Sequence, residues 1–204
     1  DLLENKISLK SKYQSNIIKV LKDKGLVIEE EKEKYRLDNS YKIEPLLKLN
    51  EYQEEAINQI ENSKKDVILL NGVTGSGKTE IYMHLINKQI SLGKTAIMLV
   101  PEISLTPQII NRFKVHFGNK IAVFHSALSE SEKYDEYRKI RRGEVSIVIG
   151  ARSAIFTPLK NIGIIIIDEE HSSTYKQEHN PRYNAIDVAI IRGKYHNAKV
   201  VLGS

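Results

Sequence analysis

The chain has 204 residues, 41% of them hydrophobic, and carries 31 Lys and Arg against 26 Asp and Glu for a net charge of +5. That length accommodates one sizeable α/β domain with a small appendage, and the lack of cysteine excludes disulfides and cysteine-ligated zinc or iron–sulfur sites within this stretch. No apolar run reaches membrane-span length and no signal peptide is visible, so the chain reads as soluble and intracellular, its mild basic excess compatible with a polyanionic partner but no evidence for one.

Residues 1–45 are charge-dense and hold no phosphate-site motif. Over 15–24 the apolar residues Ile17, Ile18 and Leu21 fall on one helical face, and Gly25 supplies a C-cap. Leu26-Val27-Ile28, a charged turn over 29–34 and Tyr35-Arg36-Leu37 predict a short β-hairpin. Helix plus hairpin fits the end of a winged-helix module and equally a generic helix-plus-hairpin cap. From about Leu46 strand and helix patterns alternate, which predicts an α/β fold with a mostly parallel sheet covered on both faces. Strands are expected at 67–71, 95–100, 121–125, 145–149, 164–168 and 199–202. Helices are expected at 51–62, 78–92, 105–117, 130–142 and 185–196. Pro107 sits in a first helical turn, where its missing N–H costs nothing, and Ser129 with Glu132 makes a capping box.

Gly72-Val73-Thr74-Gly75-Ser76-Gly77-Lys78-Thr79 directly follows the apolar strand 67–70. A strand feeding G-x-x-x-x-G-K-[ST] and opening a helix is the phosphate-binding loop. Its glycines let successive N–H groups point inward at a nucleotide's phosphates. Lys78 reaches the β- and γ-phosphates, and the Thr79 hydroxyl holds Mg2+. Asp168-Glu169-Glu170-His171 follows the buried strand Ile164–Ile167, which puts the carboxylates at the ligand-binding edge of a parallel sheet. Asp168 is placed to hold Mg2+ opposite Thr79, and Glu169 to polarise the attacking water as general base. For His171, a local loop hydrogen bond and a relay of the nucleotide state both remain open.

Asp-Glu-x-His after the second nucleotide strand resembles the signature of superfamily 2 helicases. More closely, the chain resembles the bacterial primosomal helicases of replication restart. The matching stretches are G-V-T-G-S-G-K-T-E (72–80), L-V-P-E-I-S-L-T-P-Q (99–108), F-H-S (124–126), G-A-R-S-A-I-F-T-P (150–158), D-E-E-H (168–171), S-T-Y-K-Q-E (173–178) and R-Y-N-A (182–185). Coverage is strong over 46–204 and weak over 1–45. The resemblance implies a RecA-like P-loop NTPase lobe preceded by the C-terminal part of a winged-helix domain, within an ATP-dependent 3′→5′ DNA helicase. It further implies ATP and Mg2+ as cofactors, single-stranded and forked DNA as partners, contacts with other primosome and single-strand-binding proteins, no membrane, and a cytoplasmic, nucleoid-associated location. Zinc is expected only in a C-terminal part beyond Ser204.

The same resemblance assigns further residues. Gln53, upstream of the phosphate loop, is expected on the adenine edge, where an amide can bond both N6 and N7; a surface glutamine at a helix start is the plainer alternative. Ser104, Thr106, Ser126, Arg152 and Ser153, on loops after strand ends, offer donors to DNA phosphates without base information. For Ser104, Thr106 and Ser126 a cap or local turn role stands equally. Tyr175, Lys176, His179, Arg182 and Tyr183 interleave aromatic and basic residues able to stack bases and track a backbone. Anchoring of the loop by Tyr175 or Tyr183 is the alternative. Glu170 and His171 are expected to couple DNA occupancy to the nucleotide.

Both ends read as cut: Asp1 lacks an initiator methionine, and Leu202-Gly203-Ser204 resembles an interrupted helicase motif III. A second motor lobe is therefore expected elsewhere, and this stretch alone is expected to bind Mg·ATP weakly and hydrolyse it slowly. Other readings are the motor lobe of a restriction-type double-strand translocase and a nucleotide-gated DNA-binding scaffold. A small-molecule kinase is disfavoured, because it has no place for the acidic quartet or the aromatic-basic loop.

Overall fold

A computed structural model describes residues 13–29, 42–73 and 75–204. The chain divides into two compact units, 1–35 and 36–204. In the first, helix α1 (Ser15–Asp23) buries Ile18 while Ile17 stays half-exposed. Gly25, at φ +67, ends it: Gly25 N–H donates to Lys22 O at 2.9 Å and Leu26 N–H to Leu21 O at 3.0 Å, the paired bonds of a Schellman motif. Leu26–Ile28 is irregular rather than a strand, and of the turn and second arm expected over 29–37 all but Glu29 lies outside the described residues.

The second unit is an α/β lobe. Its elements are α2 (Glu51–Asn62), β1 (Val67–Leu70), α3 (Lys78–Ser91), β2 (Thr95–Leu99), α4 (Pro107–Phe117), β3 (Ile121–Phe124), α5 (Glu130–Arg142), β4 (Ile147–Gly150), β5 (Ile162–Ile167), β6 (Lys176–Gln177), β7 (Tyr183–Asn184), α6 (Ala185–His196) and β8 (Lys199–Gly203). Six strands pair in parallel in the order β1-β8-β5-β2-β4-β3. All six β5 residues are buried, as a central parallel strand requires. Successive side chains alternate between two cores. Met98, Ile164 and Ile166 pack under α2, α3 and α4 with Ile60, Ile81 and Phe113; Ile97, Ile165 and Ile167 pack under α5 and α6 with Ile140 and Ala189.

Local chemistry fixes where the helices start. Asn50 and Gln53 form a reciprocal capping box at α2, Thr106 Oγ1 caps α4, and Ser129 with Glu132 boxes α5. At the far end of α2, Lys199 Nζ donates to the carbonyls of Ile60, Glu61 and Ser63 at 2.6, 3.0 and 2.7 Å, satisfying groups that the helix leaves open. Residues 43–47 lie against the lobe: Glu44 N–H donates to Val115 O at 3.0 Å, and Leu46 joins the first core.

The strands and helices expected from residue 46 onward are present, with boundary shifts. β5 starts two residues earlier than expected, with a register irregularity at Thr95/Ala96. Residues 152–156, read as part of a loop, form a 3-10 helix, and the loop after the acidic quartet contains the small antiparallel pair β6–β7.

Candidate active site

The loop after β1 turns back on itself, with Ser76 N–H donating to Val73 O at 3.0 Å. Gly77, at φ +85, has the left-handed backbone that favours glycine, and Gln53 Nε2 lies close over it. α3 begins at Lys78, so its free N–H groups and positive dipole end open onto the loop. Lys78 Nζ bonds to the Gly72 carbonyl across the loop mouth. Thr79 is half-buried one residue further, and Thr74 lies outside the described residues.

β8 lies between β1 and β5, so its end borders both loops. Gly72 N–H donates to Ser204 O at 3.0 Å, Ser204 N–H to Leu70 O at 3.0 Å, and Glu170 N–H to Gly203 O at 2.8 Å. The phosphate loop and the acidic quartet are thereby stitched to one backbone segment.

Asp168 sits just past β5, its N–H bonded to Leu99 O at 2.9 Å. Its Oδ1 accepts from Tyr82 Oη at 3.0 Å and from Glu169 N–H at 3.1 Å, while its carbonyl accepts from Tyr175 Oη at 2.5 Å. Burial pushes the Asp168 carboxyl above its ordinary value, against the opposing pull of those donors and of Lys78. Burial, with Asp168 beside them, pushes both tyrosine hydroxyls up, so they remain donors. Glu169 has a left-handed backbone at φ 49, and Ser104 Oγ donates to its Oε1 at 3.0 Å.

Among the described residues no group of three or more His, Cys, Asp or Glu is arranged to hold a metal. One carboxylate with one hydroxyl nevertheless fits Mg2+, which retains waters and takes its remaining ligands from phosphates. Asp168 and Thr79 have the chemistry of such a donor set.

One expectation needs correction. Tyr175 is 1% exposed, its ring in the second core and its hydroxyl on Asp168, so packing leaves it no face for a base. Gln53 Oε1 accepts from Asn50 N–H at 3.0 Å and Nε2 reaches Gly77 O at 3.4 Å, so it braces the phosphate loop, while each amide atom keeps a second hydrogen-bonding site.

Of the other expected DNA contacts, all but Ser104 and Thr106 line two grooves. A cavity of about 500 Å3 is lined by Ser126, Arg152, Ser153 and Tyr183, and one of about 710 Å3 by Lys176, His179, Arg182 and again Tyr183. Arg152 Nη1 donates to Thr174 O at 3.1 Å and Lys176 O at 2.7 Å, and its guanidinium lies 5.7 Å from the Tyr183 ring centroid. Thr106 Oγ1 is occupied as the α4 cap, and Ser104 faces Glu169 rather than either groove. Glu170 is half-buried and His171 exposed.

Sequence reasoning missed Tyr82, which reads only as an apolar position of α3, and the pair of Arg112 with buried Glu80 that joins α4 to α3. It also missed Gly203 and Ser204 as stitching residues; only their place beside a motif hinted at more than a strand end.

The family profile described as DEAD/DEAH box helicase matches residues 50–204. The chain belongs to the DEAD/DEAH box helicase family. It is similar to the replication restart protein PriA of Bacillus subtilis (strain 168), 54% identical over 96% of this chain and 25% of that protein. It is also similar to that of Chlamydia muridarum, 47% identical over 96% of this chain and 26% of that protein. The chain thus spans about a quarter of the length of these curated relatives. Among solved structures, RecG bound to a three-way DNA junction superposes with TM-score 0.56 at 26% identity, over 78% of this chain and 21% of that one. The UvsW helicase of bacteriophage T4 shares the fold, with TM-score 0.55 at 20% identity over 92% of this chain and 68% of that one. Among the described residues no helix is long and apolar enough to cross a membrane.

Proposed function

We propose that this chain is the nucleotide-binding motor lobe of an ATP-dependent 3′→5′ DNA helicase that acts in replication restart and primosome assembly. The observation that carries the reading is the backbone stitching of phosphate loop and acidic quartet through Gly203 and Ser204. It holds a phosphate-binding helix end and a magnesium-type carboxylate on one sheet edge. The likeness to PriA supports replication restart, and the likeness to junction-bound RecG supports a DNA partner.

In this reading the loop N–H groups and Lys78 bind and orient the β- and γ-phosphates. Thr79 and Asp168 would hold Mg2+, which when bound neutralises charge on those phosphates. Glu169 accepts the proton of the attacking water at its carboxylate. Ser126, Arg152, Ser153, Lys176, Arg182 and Tyr183 face single-stranded or forked DNA, through backbone and stacking contacts that carry no sequence. Glu170, bonded to Gly203, and His171 lie where the DNA-side loop meets the nucleotide edge. The working site is the cytoplasm at the nucleoid, with other primosome and single-strand-binding proteins as partners.

Labelled ATP titrated into the chain with Mg2+ is expected to bind, and Lys78→Ala to abolish binding. In the full-length protein, Glu169→Gln is expected to keep binding and lower hydrolysis by at least about 100-fold, the low end of general-base contributions. Unwinding is expected of duplexes with a 3′ single-stranded tail. Normal unwinding by Glu169→Gln would leave ATP as a switch on a DNA-binding scaffold and overturn the motor reading.

A further inference from the structure

Tyr82 is a bulky polar-tipped side chain, entirely buried, one turn along α3 from Lys78 and Thr79. Its ring belongs to the first core with Ile81, Met83 and Ile86, but its hydroxyl leaves that core. The hydroxyl donates to Asp168 Oδ1 at 3.0 Å, joining positions 86 residues apart. The path runs past β8, and there only glycine fits: a Cβ on Gly203 would lie 1.8 Å from the Tyr82 hydroxyl oxygen and 3.1 Å from Asp168 Oδ1. Glu169 N–H donates to the same Oδ1 at 3.1 Å.

We infer that Tyr82 is a positioning residue for magnesium: with the Glu169 N–H it claims Asp168 Oδ1 and turns Oδ2 toward the metal, with Gly203 keeping the passage open. This rests on the nucleotide reading of the site and deepens it. A buried carboxylate with one oxygen fixed by two donors loses its rotational freedom. Its other oxygen then meets the cation without reorganisation, as outer-shell partners of metal ligands do. Because Tyr82 and Thr79 share α3, the same helix sets both magnesium donors. The distance between the phosphate loop and the acidic quartet is therefore held by a side chain as well as by backbone.

The test is the Mg2+ dependence of binding of a fluorescent ATP analogue to the chain, with Tm measured alongside. Tyr82→Phe removes one oxygen and keeps the ring. It is expected to raise the Mg2+ concentration for half-maximal nucleotide binding by about tenfold, the lower range for an outer-shell partner. Binding measured in EDTA is expected to stay unchanged. In an Asp168→Asn background the same substitution is expected to leave the Mg2+ dependence where Asp168→Asn alone puts it, an interaction that a purely structural tyrosine would not produce. Gly203→Ala is expected to match Tyr82→Phe. Nucleotide binding by the wild type with an unshifted Mg2+ midpoint in Tyr82→Phe would overturn the role of Tyr82 alone. Absence of binding by the wild type would overturn the nucleotide reading and this inference with it.

Discussion

Ser104 Oγ donates to Glu169 Oε1 at 3.0 Å, joining the loop after β2 to the residue proposed as general base. A hydroxyl in that position holds the carboxylate and competes for the lone pair that must receive the proton of water. A hydrogen bond to a charged group contributes ~1.5–3 kcal/mol, so its loss is expected to change turnover by about 10- to 100-fold. Ser104→Ala in the full-length protein is expected to raise ATP hydrolysis without DNA and lower the fold stimulation by single-stranded DNA. Unchanged rates in both conditions would reduce the contact to a structural one.

Gln53 supplies a second test at the phosphate loop. Because its amide is used by Asn50 and Gly77, Gln53→Ala is expected to cost ~1 kcal/mol of stability, typical of a lost cap. A change in the preference for ATP over GTP of about fivefold or more, the lower bound for removing a two-bond base contact, would show that the amide also reads adenine. Competition binding with both nucleotides and a thermal melt measure the two effects.

Asp168 makes a prediction about stability. Its folded pKa is raised by burial, so the folded state holds the proton more tightly than the unfolded chain does. Stability from this group is greatest below the unfolded carboxylate pKa and is lost as pH rises through the higher folded value. Near neutral pH the buried charge therefore opposes folding. Asp168→Asn is expected to raise Tm there, and the difference from wild type is expected to shrink as pH falls below the ordinary carboxylate range. A lower Tm for Asp168→Asn at neutral pH would contradict it.

Arg192 holds α6 to the 3-10 helix at 152–156 and the segment that follows it. Its guanidinium donates to the carbonyls of Ile155, Thr157 and Leu159, the last two at 2.6 and 3.0 Å. Burial lowers its pKa from the usual arginine value. Arg192→Ala strands three carbonyls and is expected to cost ~2–3 kcal/mol, or a Tm lower by about 5–10 °C. Arg192→Lys recovers only part of this, since an ammonium lacks the planar fork.

Element types were legible because their patterns are local. The apolar run Ile164–Ile167 suits a buried parallel strand, and the capping box of Ser129 with Glu132 announces α5. β6 and β7 were not legible, since two residues are too few for a period. Tyr175 misled for a related reason. An aromatic between polar neighbours looks available, and only the neighbouring strands and α6 show that it is enclosed.

By itself, the sequence determined the phosphate loop, the acidic quartet and the alternating elements that carry them, because each depends on residues within a few positions of one another. The tertiary structure alone decided that β8 lies between β1 and β5. With that came the stitching by Gly203 and Ser204 and the reach of Tyr82 to Asp168, while the pairing of β5 with β2 brought Ser104 to Glu169. Those contacts span 86 and 65 residues. They exist because burying two faces of one sheet brings distant strand ends to a common edge, which no local pattern specifies.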